Sequence, residues 1–181
     1  MDKDRDAALV ADCQRGDRQA LESLVRRYER PVYNAAFRML GNPDDAADVT
    51  QTAFLKALEN IDRFNPDFRF FSWIYRIALN EAIDQFNRRK RVDTLGESPV
   101  FSGPRPDEMV YSGQLRDDIQ TVLMKLHEDH RAVIVLRYFS DCSYRQIGEI
   151  LRIPDKTVKS RLFSARRQMK RFLEECGVLT T

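Results

Sequence analysis

Apolar residues recur every three or four positions along most of the chain, and this spacing predicts amphipathic helices. Between residues 6 and 40 the pattern breaks once, at residues 15–17, and it stops again at residues 41–43, where glycine, asparagine or proline interrupts it. No segment alternates apolar and polar residues for long enough to predict a strand. The sequence therefore predicts an all-α fold. The later periodic segments are residues 44–64, 70–91, 112–126, 128–139, 143–151 and 155–175.

One segment lacks this periodicity and divides the chain. Residues 92–108, VDTLGESPVFSGPRPDE, hold three prolines and two glycines, a composition typical of linkers. We therefore predict two small helical domains, residues 1–91 and residues 111–181, joined by a flexible acidic linker over residues 92–110.

The net charge of +2 conceals an uneven distribution. Residues 63–91 hold seven lysines or arginines against three acidic residues, and residues 152–171 hold eight against Asp155 alone. The predicted linker is acidic. Two separate basic patches favour a protein that contacts nucleic acid at two places.

Several classes of protein find no support in the sequence. The N-terminus is charged and lacks the apolar core of a signal peptide, and no apolar run predicts a membrane span, so we expect a cytoplasmic protein. Cys13, Cys142 and Cys176 lack metal-ligand spacing, so we predict no metal, no cofactor and no disulfide framework. Because the chain has no glycine-rich phosphate loop and no nucleophile elbow, we predict no catalytic residues and no enzyme.

The stretch SYRQIGEILRIPDKTVKSRLFSARRQMKRF predicts a short helix, a tight turn and a longer helix. Ser143 and Gln146 have the spacing of a capping box, and Pro154 suits the first turn of a following helix. A basic, polar outer face on the second helix is typical of a helix-turn-helix whose second helix enters the major groove. The alternative is a solvated basic helix in an ordinary bundle. The outer-face residues that we predict to contact duplex DNA are Lys156, Thr157, Lys159, Ser160, Phe163, Ser164 and Arg167.

A second informative stretch is FRFFSWIYRIALNEAIDQFNRRKR, residues 68–91. Six aromatic residues occur between residues 64 and 75, and four basic residues end the stretch. Aromatic rings beside a basic groove hold unstacked bases, and the amide of Asn80 can both donate to and accept from a base edge. The alternative is that most of these rings pack the core, and we expect Trp73 and Ile74 to do so.

Together these motifs resemble the bacterial sigma factors of the extracytoplasmic function group. DDAADVTQTAFLKAL resembles region 2.2, FFSWIYRIALNEAIDQFNRRKR resembles regions 2.3 and 2.4, and YRQIGEILRIPDKTVKSRLFSARRQMKRFL resembles region 4.2. The resemblance implies a factor that binds core RNA polymerase at the β′ clamp and the β flap, recognises promoter DNA and promotes melting. It also implies that the loop from Arg63 to Phe70 receives a flipped base of the −10 element, with Phe64 and Asn80 as the residues that contact the base.

The resemblance assigns roles to individual residues. The second helix of the helix-turn-helix is expected to face the −35 element, and the acidic linker is expected to run toward the polymerase active-centre and RNA-exit channels. The residues expected to bind polymerase are Asp48, Gln51, Phe54 and Leu55. The residues expected to contact −10 DNA are Phe64, Phe68, Arg76, Asn80, Arg88 and Arg89.

Departures from the family pattern suggest how the protein is regulated. Ala47 and Thr52 stand where the family commonly has acids, so we hypothesise that phosphorylation of Thr50 or Thr52 by a Ser/Thr kinase restores the missing charge. The alternative is that Ala47 and Thr52 are variation that the family tolerates. The resemblance also implies regulation by an anti-sigma factor. Arg152 and Asp155 replace residues that are often glycine.

A different interpretation of the whole chain remains open at this point. A transcriptional regulator whose C-terminal helix-turn-helix binds operator DNA alone would account for the second basic patch, but it leaves the aromatic stretch and Asn80 unexplained.

Overall fold

The computed structural model describes residues 3–93 and 110–178, and within these ranges every regular element is a helix. The prediction of an all-α fold is confirmed. The elements are α1 (Lys3–Gln14), α2 (Arg18–Leu40), α3 (Pro43–Glu59), a 3₁₀ turn (Ile61–Arg63), α4 (Phe70–Asp93), α5 (Val110–Lys125), α6 (Glu128–Ile134) with a π-helical continuation (Val135–Phe139), α7 (Tyr144–Leu151) and α8 (Asp155–Glu175).

The helix boundaries follow from capping residues that are visible in the sequence. Asp17 accepts the backbone N–H of Gln19 at 2.8 Å and thereby starts α2. Gly41 ends α2 with φ +71°, a left-handed conformation that costs glycine little, and Asn42 then caps α3.

Helices α2, α3 and α4 pack around one apolar core. α3 and α4 both lie against α2, and the largest side chains enclosed between them include Leu24, Met39, Ile74 and Leu79. The expected burial of Ile74 is confirmed. Burying apolar side chains of this size stabilises each by about 1.5–3 kcal/mol relative to exposure.

α1 is fastened to this bundle by a polar contact. The Tyr28 hydroxyl donates to the buried carboxylate of Asp6, which also pairs with Arg27 at 3.2 Å. Burial, followed by the hydrogen bond to Asp6, raises the pKa of Tyr28 well above its usual range. The phenol therefore keeps its proton and remains a donor at physiological pH.

α5 to α8 form a second helical group around Leu123, Leu136, Ile147 and Leu162. Arg131 is fully buried in this group, and its guanidinium donates to the carbonyls of residues 123, 124 and 126. The carbonyl of Leu123 also accepts the N–H of Leu126 at 3.1 Å. Because the last carbonyls of a helix lack partners within it, the arginine supplies hydrogen bonds at the end of α5.

The two helical groups also touch each other, which the sequence did not predict. The C-terminal end of α2 meets α5, and α4 meets α7. Residues 94–109, which make up most of the predicted linker, lie outside the described residues, so the expected path of the linker and the domain boundaries stay predictions.

Candidate functional site

α7 and α8 form a compact helix-turn-helix. The capping box is present, since Ser143 accepts the N–H of Gln146 while the side chain of Gln146 accepts the N–H of Ser143. Arg152 then takes a left-handed conformation with φ +54°, which reverses the chain between the helices. Glycine adopts that conformation at less cost than arginine does.

The turn also depends on the absence of a side chain at Gly148. A Cβ atom placed there would lie 2.8 Å from the carbonyl oxygen of Ile153, closer than real Cβ contacts come. Gly148 therefore permits the end of α7 to approach the start of α8. Sequence reasoning missed this residue, although an isolated glycine in a predicted helix is a signal of close packing.

α8 separates an inner from an outer face. Val158, Leu162 and Ala165 are buried, while the Phe163 ring is 62% exposed on the opposite side. The predicted duplex-binding residues lie on or beside this outer face. Lys156, Lys159, Ser160, Phe163 and Arg167 are exposed, and Thr157 and Ser164 are half-buried.

The basic residues of α8 differ in their electrostatic surroundings. Arg161 pairs with Asp129 at 2.8 Å, and Lys170 approaches Glu174 at 3.6 Å. In the part of the chain that the structure describes, no acidic side chain pairs with Lys159 or Arg167. The centre of the outer face thus keeps its positive charge, which attracts phosphates.

A polar cleft of about 540 Å³ lies between α3 and α4. Asn80 is exposed on its wall, and the half-buried ring of Trp73 and the side chain of Arg63 line it as well. The Phe68 ring, 58% exposed, lies in the loop that precedes α4. An amide beside an aromatic ring and a guanidinium provides the chemistry that holds an unstacked base.

Phe64 has a different position from the one predicted. Its ring is only 6% exposed and packs against Trp73 and Phe70 with centroid distances of 5.1 and 6.0 Å. The burial of Phe64 argues against the direct base contact that we predicted, because its faces are occupied by other rings. The Phe64 ring packs against Trp73, and it is Trp73 that lines the cleft.

The three arginines predicted to contact −10 DNA are in different situations. Arg88 is exposed, and Arg89 forms a two-point ion pair with Asp45. Arg76 points toward the second helical group, where it donates to the carbonyls of Glu149 and Ile150. Arg76 is therefore not available to DNA in this conformation.

The predicted polymerase-binding residues lie on and around α3. Asp48 and Gln51 are exposed, Leu55 is 52% exposed, and Phe54 is largely buried. Gln51, Phe54 and Leu55 line a groove of about 610 Å³ between α2 and α3. An exposed leucine at an open groove next to acidic and amide groups suits a protein partner.

The two threonines on α3 are not equivalent. The Thr50 hydroxyl is buried and donates to the carbonyl of Ala46 at 2.6 Å, so phosphorylation at Thr50 would require local unfolding. The prediction of a phosphorylation site there is not supported by this position. Thr52 is half-buried and follows the exposed Gln51 on α3.

The described residues offer neither a metal site nor a membrane span. Within residues 3–93 and 110–178, no cluster of three His, Cys, Asp or Glu side chains is placed to hold a metal ion. None of the helices in the same ranges combines the length and hydropathy that a bilayer span requires.

The sequence and the fold both match known proteins. The family models for Sigma-70 region 2 and Sigma-70, region 4 match residues 24–92 and 116–169. The ECF RNA polymerase sigma factor SigW of Bacillus subtilis is 36% identical over 92% of this chain and 95% of its own length. The ECF RNA polymerase sigma-E factor of Escherichia coli K12 is 35% identical over 89% of this chain and 90% of its own length.

A solved structure extends the likeness to three dimensions. CnrH, in complex with the cytosolic domain of CnrY, superposes with a TM-score of 0.74 at 27% identity, covering 94% of this chain and 98% of CnrH. The match spans both helical groups. Family models, relatives and fold agree, and the chain belongs to the extracytoplasmic function group of RNA polymerase sigma factors.

Proposed function

We propose that this chain binds core RNA polymerase in the cytoplasm and directs it to promoters that carry separate −10 and −35 elements. Sigma factors are transcription initiation factors and not enzymes. The observation that carries the assignment of sites is the presence of two different DNA-binding chemistries in one chain. The outer face of α8 suits duplex DNA, and the Asn80 cleft suits an unstacked base.

α8 reads the −35 element from the major groove. Lysine can donate to guanine, serine can pair with several base edges, and the exposed Phe163 ring can contact a thymine methyl group. Arg167, further along the same face, addresses a phosphate. Base contacts of this kind set specificity, while the phosphate contacts supply affinity that falls with salt.

The Asn80 cleft receives a base that leaves the duplex at the −10 element. Flipping costs a few kcal/mol, which stacking on aromatic rings and hydrogen bonds to the base edge can offset. In this proposal Trp73, which lines the cleft, and the exposed Phe68 stack on the base, and the exposed Arg88 contacts the backbone. Because a flipped base is removed from its pair, the cleft promotes melting.

α3 docks on the β′ clamp of polymerase, and the C-terminal helices dock on the β flap. Leu55 supplies exposed apolar surface at the groove beside α3, and Asp48 and Gln51 supply polar contacts. The test is the affinity of the purified chain for core polymerase, measured by fluorescence anisotropy. We expect Leu55→Ala to weaken binding by about tenfold, as loss of a buried leucine contact at an interface centre does.

Arg18→Ala is the control, because Arg18 is also exposed but lies at the start of α2, outside both the groove and the C-terminal helices. It should bind as tightly as the unaltered chain. Equal affinities for both variants would contradict the placement of α3 at the polymerase, and a chain with no affinity for core polymerase would contradict the proposed function itself.

Regulation is proposed to act on the same surfaces. An anti-sigma factor would cover them, and the solved complex of CnrH with the cytosolic domain of CnrY gives the precedent of a bound protein partner for that relative. Phosphorylation of Thr52 would add about −1.5 to −2 charges on α3, next to Gln51. Thr52→Glu should then bind core polymerase more tightly than Thr52→Ala, and equal affinities without any effect of a kinase would end this idea.

A further inference from the structure

The two helical groups are joined by side chains of one that cap helix ends of the other. Arg76 of α4 donates from Nε to the carbonyl of Ile150 at 3.3 Å and from Nη2 to the carbonyl of Glu149. Both carbonyls belong to the last turn of α7, where a helix has no internal partners for them and where its dipole is negative. A guanidinium is therefore well suited to this position.

The same arrangement occurs in the opposite direction at the end of α2. Gln120 of α5 is buried, and its amide lies 3.4 Å from the carbonyls of Phe37 and Arg38. Nη1 of Arg131 donates to the carbonyl of Met39. The carbonyl of Phe37 also accepts the N–H of Gly41 at 2.8 Å, so the carbonyls that the C-terminal group satisfies are those of Arg38 and Met39.

Two cation–π contacts cross the same boundary. The guanidinium of Arg131 lies 4.4 Å from the ring centroid of Phe86 on α4, and that of Arg38 lies 4.7 Å from the ring centroid of Phe139. Arg38 also donates to the side chain of Gln120 at 2.9 Å. Because these groups are partly desolvated, each contact contributes more than an exposed one would.

This closed arrangement cannot bind both promoter elements at once. The −10 and −35 elements are about 25 base pairs apart, which is about 85 Å along B-DNA. Arg76 is bonded to Ile150, and α8 begins five residues later, so the recognition residues of α8 lie within about 50 Å of Arg76. The helical groups must separate before α4 and α8 can occupy their two elements.

Arg76 links closure to DNA binding more directly. It is one of the residues proposed to contact the −10 element, and its donors are committed to α7 in this structure. One guanidinium cannot serve the α7 carbonyls and a DNA backbone together. Binding of DNA at α4 and the closed arrangement therefore compete for the same side chain.

We propose that the free protein is held closed by this reciprocal capping of α2 and α7, and that closure lowers its affinity for polymerase and promoter until the helical groups separate. The inhibitory consequence rests on the proposed function, whereas closure itself does not. If a protein binds only when it is open, its apparent affinity is the affinity of the open form multiplied by the fraction of molecules that are open.

The first experiment measures closure in the full chain without any partner. A compact chain of this length has a radius of gyration of about 16 Å, which small-angle X-ray scattering measures directly. Arg38→Ala and Gln120→Ala each remove contacts across the boundary, and neither residue belongs to the proposed binding surfaces. Both should raise the radius of gyration by about 3 Å or more, while Arg18→Ala, an exposed arginine at the start of α2, should leave it unchanged.

Circular dichroism then establishes that each variant retains its helices, and two independent variants guard against a folding defect in either one. An unaltered chain that is already as extended as Arg38→Ala, or two folded variants as compact as the unaltered chain, would overturn the proposal.

The second experiment measures the consequence for polymerase. Arg38→Ala should bind core polymerase about three- to tenfold more tightly than the unaltered chain, and Arg18→Ala should not. Expansion of Arg38→Ala with unchanged polymerase affinity would leave closure standing but overturn its inhibitory role. If neither the unaltered chain nor the variants bind polymerase, the proposed function fails, and the scattering result still decides closure.

Discussion

Arg131 offers the sharpest test of how the C-terminal helices are held together. Its side chain is 0% exposed, and its guanidinium donates to four backbone carbonyls, three at the end of α5 and one at the end of α2. Burial lowers its pKa to about 10, which still leaves it charged at neutral pH. Arg131→Met keeps an unbranched side chain but removes every donor.

The cost of this change follows from the carbonyls left behind. Three buried acceptors and one partly buried acceptor lose a partner, and each net hydrogen bond is worth about 1 kcal/mol, with more for a charged donor. Because the buried charge is also removed, part of its desolvation penalty is recovered. We expect Arg131→Met to destabilise the fold by about 3–5 kcal/mol and Arg131→Lys by about 1–3 kcal/mol, since an ammonium group can keep some of these bonds.

Urea unfolding followed by circular dichroism measures this difference. With a slope of about 2 kcal/mol per molar urea, a loss of 4 kcal/mol lowers the midpoint by about 2 M. Arg145→Met is the control, because Arg145 is exposed and its pair with Glu149 is worth at most about 0.5 kcal/mol. A midpoint for Arg131→Met within about 0.5 M of the unaltered chain would refute this account of Arg131.

Three further predictions concern single residues. Arg152→Gly should raise the stability by about 0.5–1 kcal/mol, because glycine adopts the left-handed conformation without the cost that arginine carries; an unchanged or lower thermal midpoint would argue against strain there. Asn80→Ala should weaken binding of single-stranded −10 DNA to the holoenzyme by about tenfold without changing the affinity for duplex −35 DNA, and a uniform loss at both elements would count against the cleft. Burial raises the pKa of the Cys142 thiol to about 12, so at pH 8.5 iodoacetamide should modify the exposed Cys176 while Cys142 reacts only after unfolding; equal modification of both in the folded chain would contradict this.

The fold was largely predictable because its determinants are local. Asp17, Gly41 and Asn42 mark helix ends by capping chemistry that involves only their sequence neighbours, and the capping box at Ser143 does the same for α7. The apolar period of α8 predicted which side would be buried. These signals do not depend on contacts between distant residues.

The errors concern side chains whose surroundings come from distant parts of the chain. Phe64 and Phe68 are the same residue type four positions apart, yet one fills the core and the other is exposed, which depends on how the loop meets α4. Thr50 and Thr52 differ in the same way. Arg131 looks like a surface residue in the sequence, because nothing local shows that carbonyls of two helix ends converge on it.

The contact between the two helical groups was also beyond sequence reasoning. Arg76 was predicted to contact DNA from its position on α4, and its engagement with α7 depends on a meeting of elements more than seventy residues apart. The basic patches and the family pattern indicated what each group does. They carried no information on how the groups pack in the free chain.

The most direct test of the central claim is run-off transcription with purified core polymerase on genomic fragments, with the start sites mapped. We expect defined starts, each preceded by a shared two-part element, that appear only when this chain is added. Binding to polymerase without selective starts, or selective binding of the isolated chain to duplex DNA with no effect on initiation, would contradict it.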